Sequence, residues 1–280
     1  MLGQRYSGGR GSSILPRLVI GAVIAIISLV GYFGAQVYNP VTDEVQHIDM
    51  TVEQEIALGL QAAPEMAAQF GGLDPDEQAQ ALVDQVGQQL VAQTAATDTD
   101  YQFQFYLLAD PQTINAFALP GGPVFITRGL LDRLETEGQL AGVLAHEVGH
   151  VVARHSAEHI AKARLTEGLT GAAVIAAYDP NDPSSQQTAQ VAVLIGQLIN
   201  LKFGRDDELE SDRLGVRFVA ESGYDPRSMM QVMEILAEAS QGQQPPEFFS
   251  THPNPENRIE RIQAEIEESF PNGVPEGLIQ

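Results

Sequence analysis

Two histidines four residues apart, with a glutamate beside the first, stand in the run His146-Glu147-Val148-Gly149-His150. On a helix such a spacing puts both imidazoles on one face, so they converge on a single ion while Glu147, one position along, points beside it. A zinc ion held in this way lowers the pKa of its water to about 7, and a neighbouring carboxylate takes the proton as a polarised carbonyl is attacked. Glu147 is the candidate for that base. Two histidines leave the ion short of protein ligands, so a third must come from elsewhere. One known pattern places a third histidine six residues after the second with a glycine between them; here those positions are Ser156 and Ala153, which excludes it. His155 and His159 lie further along the same segment, away from the 146/150 geometry, and are assigned structural roles. The remaining source is a distal carboxylate. In Gly204-Arg-Asp-Asp-Glu208-Leu-Glu-Ser-Asp212-Arg-Leu-Gly215, Glu208 and Asp212 are one helical turn apart, so Glu208 can bind metal while Asp212 orients an imidazole. The chain has no cysteine, which rules out thiolate ligands, a cysteine nucleophile and disulfides.

The elements that must position these groups are marked by caps and periodicity. Thr51-Val52-Glu53-Gln54 reads as a capping box for a helix ending near Phe70, where Gly71-Gly72 stops it, and a second helix starts at Asp74-Pro75 and continues to about Gln93. Tyr101 to Leu108 alternates as a strand, and Ile114 to Leu119 and Pro123 to Thr127 form a hairpin around Pro120-Gly121-Gly122. These make a small antiparallel sheet. Thr136-Glu137-Gly138-Gln139 opens the helix that carries the two histidines and is expected to run through at least His159. Two apolar helical stretches follow, Leu165 to Tyr178 and Thr188 to Phe203, read as a hairpin packed on the domain. The helix with Glu208 and Asp212 spans about Asp206 to Ser222, with Gly223 and Asp225-Pro226 terminating it.

No charged residue occurs from Leu18 to Thr42, a stretch long enough to span a bilayer, which needs about 17 to 25 apolar residues. Arg5, Arg10 and Arg17 precede it, and Asp43, Glu44 and Asp49 follow. The positive-inside rule therefore places residues 1–17 in the cytoplasm, a transmembrane anchor at 18–38, and residues 40–280 as one domain outside. The rival reading is a signal peptide cleaved to release the domain into the periplasm, for which Gly34-Ala35-Gln36 is a poor cleavage site. Beyond residue 17 the chain holds 12 bases against 37 acids, a charge of −25. A surface this acidic repels phosphate backbones, so nucleic acid is not an expected partner.

Asn115-Ala116-Phe117-Ala118-Leu119-Pro120-Gly121-Gly122, the histidine run, Arg205-Asp-Asp-Glu208-Leu-Glu-Ser-Asp212, Gly223-Tyr224-Asp225-Pro226, and Ser250-Thr251-His252-Pro253 followed by Arg258-Ile259 together resemble one family. It is the zinc metallopeptidase family that includes the CAAX prenyl endoproteases, the membrane protease HtpX and the periplasmic β-barrel-assembly-enhancing protease, and the likeness covers roughly residues 50 to 270. The resemblance implies a mostly helical α+β zincin-like domain with Zn²⁺ on His146, His150 and Glu208, Glu147 as catalytic base, and Asp212 in support, either as proton donor or as orienter. It implies that Asn115, Ala116 and Phe117 form a sheet edge beside the metal, where an extended, unfolded polypeptide adds as a strand. His252 in the Thr-His-Pro pattern is implied to reach the zinc, either filling its open position and holding the enzyme latent or contacting substrate and oxyanion. The function so implied is a membrane-anchored metalloendopeptidase degrading misfolded or damaged envelope proteins. The alternative is a zinc-stabilised chaperone or binding module with little or latent proteolysis. The sequence carries no multi-span membrane region and few residues beyond Gly277, so neither prenylated-peptide processing nor docking through helical repeats is expected of it.

Overall fold

The computed structural model describes residues 14–177, 203–240, 246–253 and 257–280. They fall into two units, one comprising residues 14–35 with 161–177 and the other 36–160 with the described residues from Phe203 onward. In the first unit, α1 (Ile14–Gly34) is apolar along its length, and Leu15–Gly34 is long and apolar enough to cross a membrane. Gly21 and Ser28 of α1 lie against Ala172 and Gly168 of α6 (His155–Ala177), small residues that let two helices approach closely. The expected stretch from Leu165 is thus the later part of a longer helix. The stretch Thr188 to Phe203 lies outside the described residues apart from Phe203.

The second unit begins with an antiparallel hairpin, β1 (Gln36–Asn39) and β2 (Glu44–His47), which the sequence analysis does not anticipate. Four-residue strands are too short for periodicity to declare them. The helix α2 (Val52–Gln69) follows, with the Thr51 and Gln54 side chains reciprocally satisfying the first-turn N–H groups, as the capping box requires. The next helix, α3 (Glu77–Gln93), is capped by Asp76, whose carboxylate accepts from the Gln78 and Ala79 N–H groups.

A three-stranded sheet comes next, with β3 (Gln104–Leu108), β4 (Ala116–Ala118) and β5 (Pro123–Thr127) in the order β3-β5-β4. The β4–β5 pair is the expected antiparallel hairpin, but β3 runs parallel to β5, with Phe105 opposite Val124 and Leu107 opposite Ile126. The sheet is therefore mixed rather than wholly antiparallel. The reason is that β5 is buried at every residue and belongs in the centre, so the connection from β3 carries the chain past it to the far edge before it turns back. The turn back needs glycine: Gly121 has φ of +80°, and a Cβ there would sit 2.3 Å from Ile56 Cα of α2. On the other side Val83, Val86 and Leu90 of α3 join Phe105 and Leu107 in the core, and the Gln80 amide bonds the β3 backbone at Phe105 O and Leu107 N.

After the short helix α4 (Arg128–Leu131) comes α5 (Glu137–Val152), in which every residue after Glu137 is buried. It is the central rod of the unit, packed by α3, α7 (Arg205–Glu221) and α8 (Ser228–Ala239). The chain closes with α9 (Phe248–Thr251) and α10 (Arg258–Ser269). The helix through His159 is not continuous. It stops at Val152, and Arg154 adopts φ of +58° before α6 starts at His155.

That interruption has identifiable causes. A non-glycine residue in the left-handed region costs about 1 kcal/mol, and here Arg154 is held by an ion pair with the buried Glu55 and by donation to Met50 O. Tyr101 donates to the other Glu55 oxygen. The carbonyls of Val152 and Ala153 accept from Asn39 Nδ2 and Gln46 Nε2, so the β1–β2 hairpin satisfies the end of the helix that carries the histidines.

Candidate metal centre

His146 and His150 project from α5 toward α7, and the close approach of the two helices depends on Gly149, where a Cβ would lie 3.1 Å from Ser211 O. Glu208 sits in the acidic first turn of α7, where the helix dipole favours negative charge. His252 arrives from the end of α9, whose Phe248 N–H donates to Ile114 O just ahead of β4. His146, His150, Glu208 and His252 are all buried, and among the described residues their ligand atoms gather within 4.8 Å of one another.

The separations suit one small cation. His146 Nε2 is 3.1 Å from His150 Nε2, 3.4 Å from His252 Nδ1 and 3.5 Å from Glu208 Oε2. Glu208 Oε1 is 3.4 Å from His150 Nε2 and 2.9 Å from His252 Nδ1. Donors bonded tetrahedrally to zinc at about 2.0–2.1 Å lie about 3.3 Å apart. The outer ring atoms fix which nitrogens face inward. His146 Nδ1 is 2.9 Å from Asp212 Oδ1, an acceptor, so the Nε2 lone pair of neutral His146 points at that of His150. Two lone pairs 3.1 Å apart repel unless a cation, either a proton or a metal ion, lies between them. A nitrogen and carboxylate donor set of this kind fits zinc and is unsuited to calcium or magnesium, which prefer all-oxygen sites.

Asp212 faces the far side of His146, away from the converging atoms, and is gripped there by Arg258. The Arg258 Nε and Nη2 groups each donate to one Asp212 oxygen at 2.7 Å, while Nη1 lies 3.1 Å from Glu208 Oε2 without hydrogen-bond alignment. Arg258 is 2% exposed and heads the buried face of α10, with Ile262 and Ile266 below it. Burial alone raises a carboxyl pKa, yet Asp212 is held below the usual range, because Arg258 and His146 outweigh desolvation. Glu208 is likewise driven well below it, with His252, His146 and His150 as the opposing influences. Burial works against a charged His146, but bonds to Asp212 and Glu208 raise it to about 9; burial leaves His150 well below its ordinary value.

Glu147 behaves differently from its neighbours. It is 0% exposed, both its oxygens lack a hydrogen-bond partner among the described residues, and burial pushes its carboxyl upward. His252 Nε2 is 3.5 Å from Glu147 Oε1, in ion-pair range but without hydrogen-bond geometry. Aromatic rings close over the group: Phe248 stacks on His252 and Phe203 on His150, both with centroids 4.4 Å apart.

Asn115, Ala116 and Phe117 lie at the outer side of the sheet, which packs on α5 through β4. Phe117 stacks on Phe125 and is mostly buried, and Asn115 Oδ1 is buried without a hydrogen-bond partner among the described residues. The structural assignment of His155 and His159 needs correction for His155. Because the chain turns at Arg154, His155 Nδ1 reaches 2.8 Å from His150 Nδ1, whereas His159 pairs with Asp207 at 2.7 Å. Sequence reading also assigns no role to Arg258. Its signal is an arginine at the head of an apolar i, i+4, i+8 ladder, which calls for a buried carboxylate.

Comparison with known proteins agrees with this constellation. A model of peptidase family M48 matches residues 77–266. The chain is 32% identical over 248 residues to a β-barrel assembly-enhancing protease of Yersinia pestis, covering 86% of this chain and 50% of that one. It is 33% identical over 188 residues to the Escherichia coli protein of the same name, covering 63% and 37%. To the mitochondrial metalloendopeptidase OMA1 of Schizosaccharomyces pombe it is 32% identical over 255 residues, covering 90% and 72%. The chain thus spans half or less of the length of these two bacterial relatives. The matched region contains the histidine run, Glu208, Asp212, His252 and Arg258, and the chain belongs to peptidase family M48.

Proposed function

We propose that this chain is a zinc metalloendopeptidase anchored by α1, with residues 1–17 cytoplasmic and the unit that carries the metal centre outside, acting on misfolded or damaged proteins of the cell envelope. The observation that carries this reading is the set of donor atoms at tetrahedral separations, with one more buried carboxylate, Glu147, beside them and without a hydrogen-bond partner among the described residues. His146, His150 and Glu208 hold the zinc, which when bound polarises a peptide carbonyl and acidifies water. Glu147 accepts the proton of the attacking water at its unpartnered carboxylate and passes it to the leaving amine. Asp212, braced by Arg258, keeps His146 in the tautomer that presents Nε2. An extended substrate pairs with the backbone along Asn115, Ala116 and Phe117, a mode that reads little sequence and selects unfolded chain. The envelope setting draws on the apolar helix, the charge asymmetry around it and the likeness to bacterial β-barrel assembly-enhancing proteases.

A second reading concerns regulation of the same site. With His252 fully buried and its Nδ1 2.9 Å from Glu208 Oε1, His252 would offer a zinc held by His146, His150 and Glu208 a fourth protein donor, in the position a catalytic zinc keeps for water or substrate. In this arrangement the enzyme is latent, and activity requires His252 to withdraw. Cleavage of casein by the full chain in detergent tests both readings. Wild type is expected to show low, chelator-sensitive cleavage, and His252→Ala to raise it about tenfold or more, roughly 1.4 kcal/mol in the barrier. If His252→Ala loses cleavage but keeps zinc, latency is wrong and the histidine serves substrate or oxyanion instead.

A further inference from the structure

The two α5 histidines are supported in different ways. His146 meets a carboxylate directly, whereas His150 meets another imidazole: its Nδ1 is 2.8 Å from His155 Nδ1, and His155 Nε2 is 3.1 Å from Glu210 Oε2. Glu210 lies on α7 two residues after Glu208, so the helix supplying the carboxylate ligand also reaches around behind His150. We infer that His155 and Glu210 form a relay that positions His150, with His155 acting as a positioning residue for the metal centre. This inference rests on the metal-site reading above.

Hydrogen-bond bookkeeping fixes the relay. An ionised carboxylate only accepts, so neutral His155 carries its proton on Nε2 and donates to Glu210. Its Nδ1 is then an acceptor, and the facing His150 Nδ1 must carry a proton and donate. Ser211 Oγ, 3.4 Å away, adds at most a long second donor to the same His155 atom. His150 Nε2 is thereby left as a lone pair, aimed at Glu208 Oε1 and His146 Nε2. Without His155 the His150 ring is free to place its proton on either nitrogen and to rotate about its side-chain bonds, and half the alternatives present N–H to the metal.

The left-handed turn at Arg154 makes the contact possible. Had α5 continued as one helix, residue 155 would lie five positions beyond His150 and about 140° around the axis from it. The turn, held by Glu55, instead starts α6 where its first residue faces back at His150. Glu210 also pairs with Arg213 at 3.0 Å, which keeps its carboxylate in place from the solvent side.

Zinc affinity of the full chain in detergent, by competition with a chelating dye, tests the relay on wild type, His155→Phe, His155→Asn and His159→Ala. Cobalt spectra of the same proteins accompany it. His155→Phe removes the acceptor and is expected to weaken zinc binding about 10- to 100-fold, the range for outer-shell partners of a ligating histidine, and to shift the visible cobalt bands. His155→Asn keeps an acceptor near the Nδ1 position and is expected to recover most of that loss; His159→Ala, next to the site but in contact with Asp207, leaves both readouts at wild type. Equal losses in Phe and Asn, or an unchanged cobalt spectrum in His155→Phe, overturn the relay. A wild-type chain that takes up no zinc overturns the metal reading and the relay together. Wild-type affinity in every variant overturns the relay alone.

Discussion

Glu147→Gln is expected to lower casein cleavage by about 100- to 10 000-fold while leaving zinc content unchanged, since general bases contribute on that order. The carboxylate is fully buried beside the four donors, accepts no hydrogen bond from a described residue, and is pushed upward in pKa by burial. A buried carboxylate without a bond is costly, and nothing in the packing of α5 explains it. Its location explains it as a proton acceptor kept free for a water. Glutamine matches its volume and removes the basicity, so the fold survives and the proton transfer does not. Measured zinc per chain should stay at the wild-type value. Cleavage within tenfold of wild type would remove Glu147 from the reaction.

The second large effect concerns Arg258. It donates to both oxygens of Asp212 and lies against Glu208, and these two carboxylates and Glu147 together outnumber it. Removing one partner from a buried ion pair typically costs about 3–5 kcal/mol, because the other charge is left uncompensated. Arg258→Met, which keeps much of the side-chain volume, should therefore lower the metal-free stability by that amount, read from urea unfolding. Zinc should restore part of it, since the ion supplies the positive charge that Asp212 and Glu208 lose.

The pH dependence has a definite sign. Asp212 and Glu208 are depressed in the folded protein, so their stabilisation is present above the unfolded carboxylate pKa of about 4 and is lost as pH falls through their folded values. With Arg258 gone, Asp212 is less depressed, so Arg258→Met, though less stable at neutral pH, should lose less further stability on acidification below about pH 4 than wild type does. A variant with wild-type stability and acid profile would show that Arg258 only fills space.

The local grammar of the sequence carried much of this. Thr51 with Gln54 caps α2 as its spacing demands, Thr136 accepts from the Gln139 N–H at the head of α5, and the glycines at 121 and 122 turn the β4–β5 hairpin. The i, i+4 rule brings His146 and His150 together, and the same periodicity sets Glu208 and Asp212 on one face of α7. Contacts between distant segments were less legible. The parallel pairing of β3 with β5 depends on which strand is central, a property of tertiary burial rather than of alternation.

The break at Arg154 is the most consequential difference. Nothing in Val151-Val-Ala-Arg-His155 signals a helix end, since it contains neither glycine nor proline. The turn is imposed by Glu55, by Met50 O and by the side chains of Asn39 and Gln46, roughly a hundred residues earlier. The same long-range origin explains why Arg258 is given no role and His155 only a structural one from the sequence: each meets the metal ligands only when α10, or the start of α6, is laid against them.

Zinc content measured beside casein cleavage, for the full chain and for Glu208→Ala, bears most directly on the metal centre. The account predicts about one zinc per wild-type chain, as a single site requires, with both zinc and cleavage lost in Glu208→Ala. Wild-type protein without zinc, or Glu208→Ala that retains both zinc and cleavage, would contradict it.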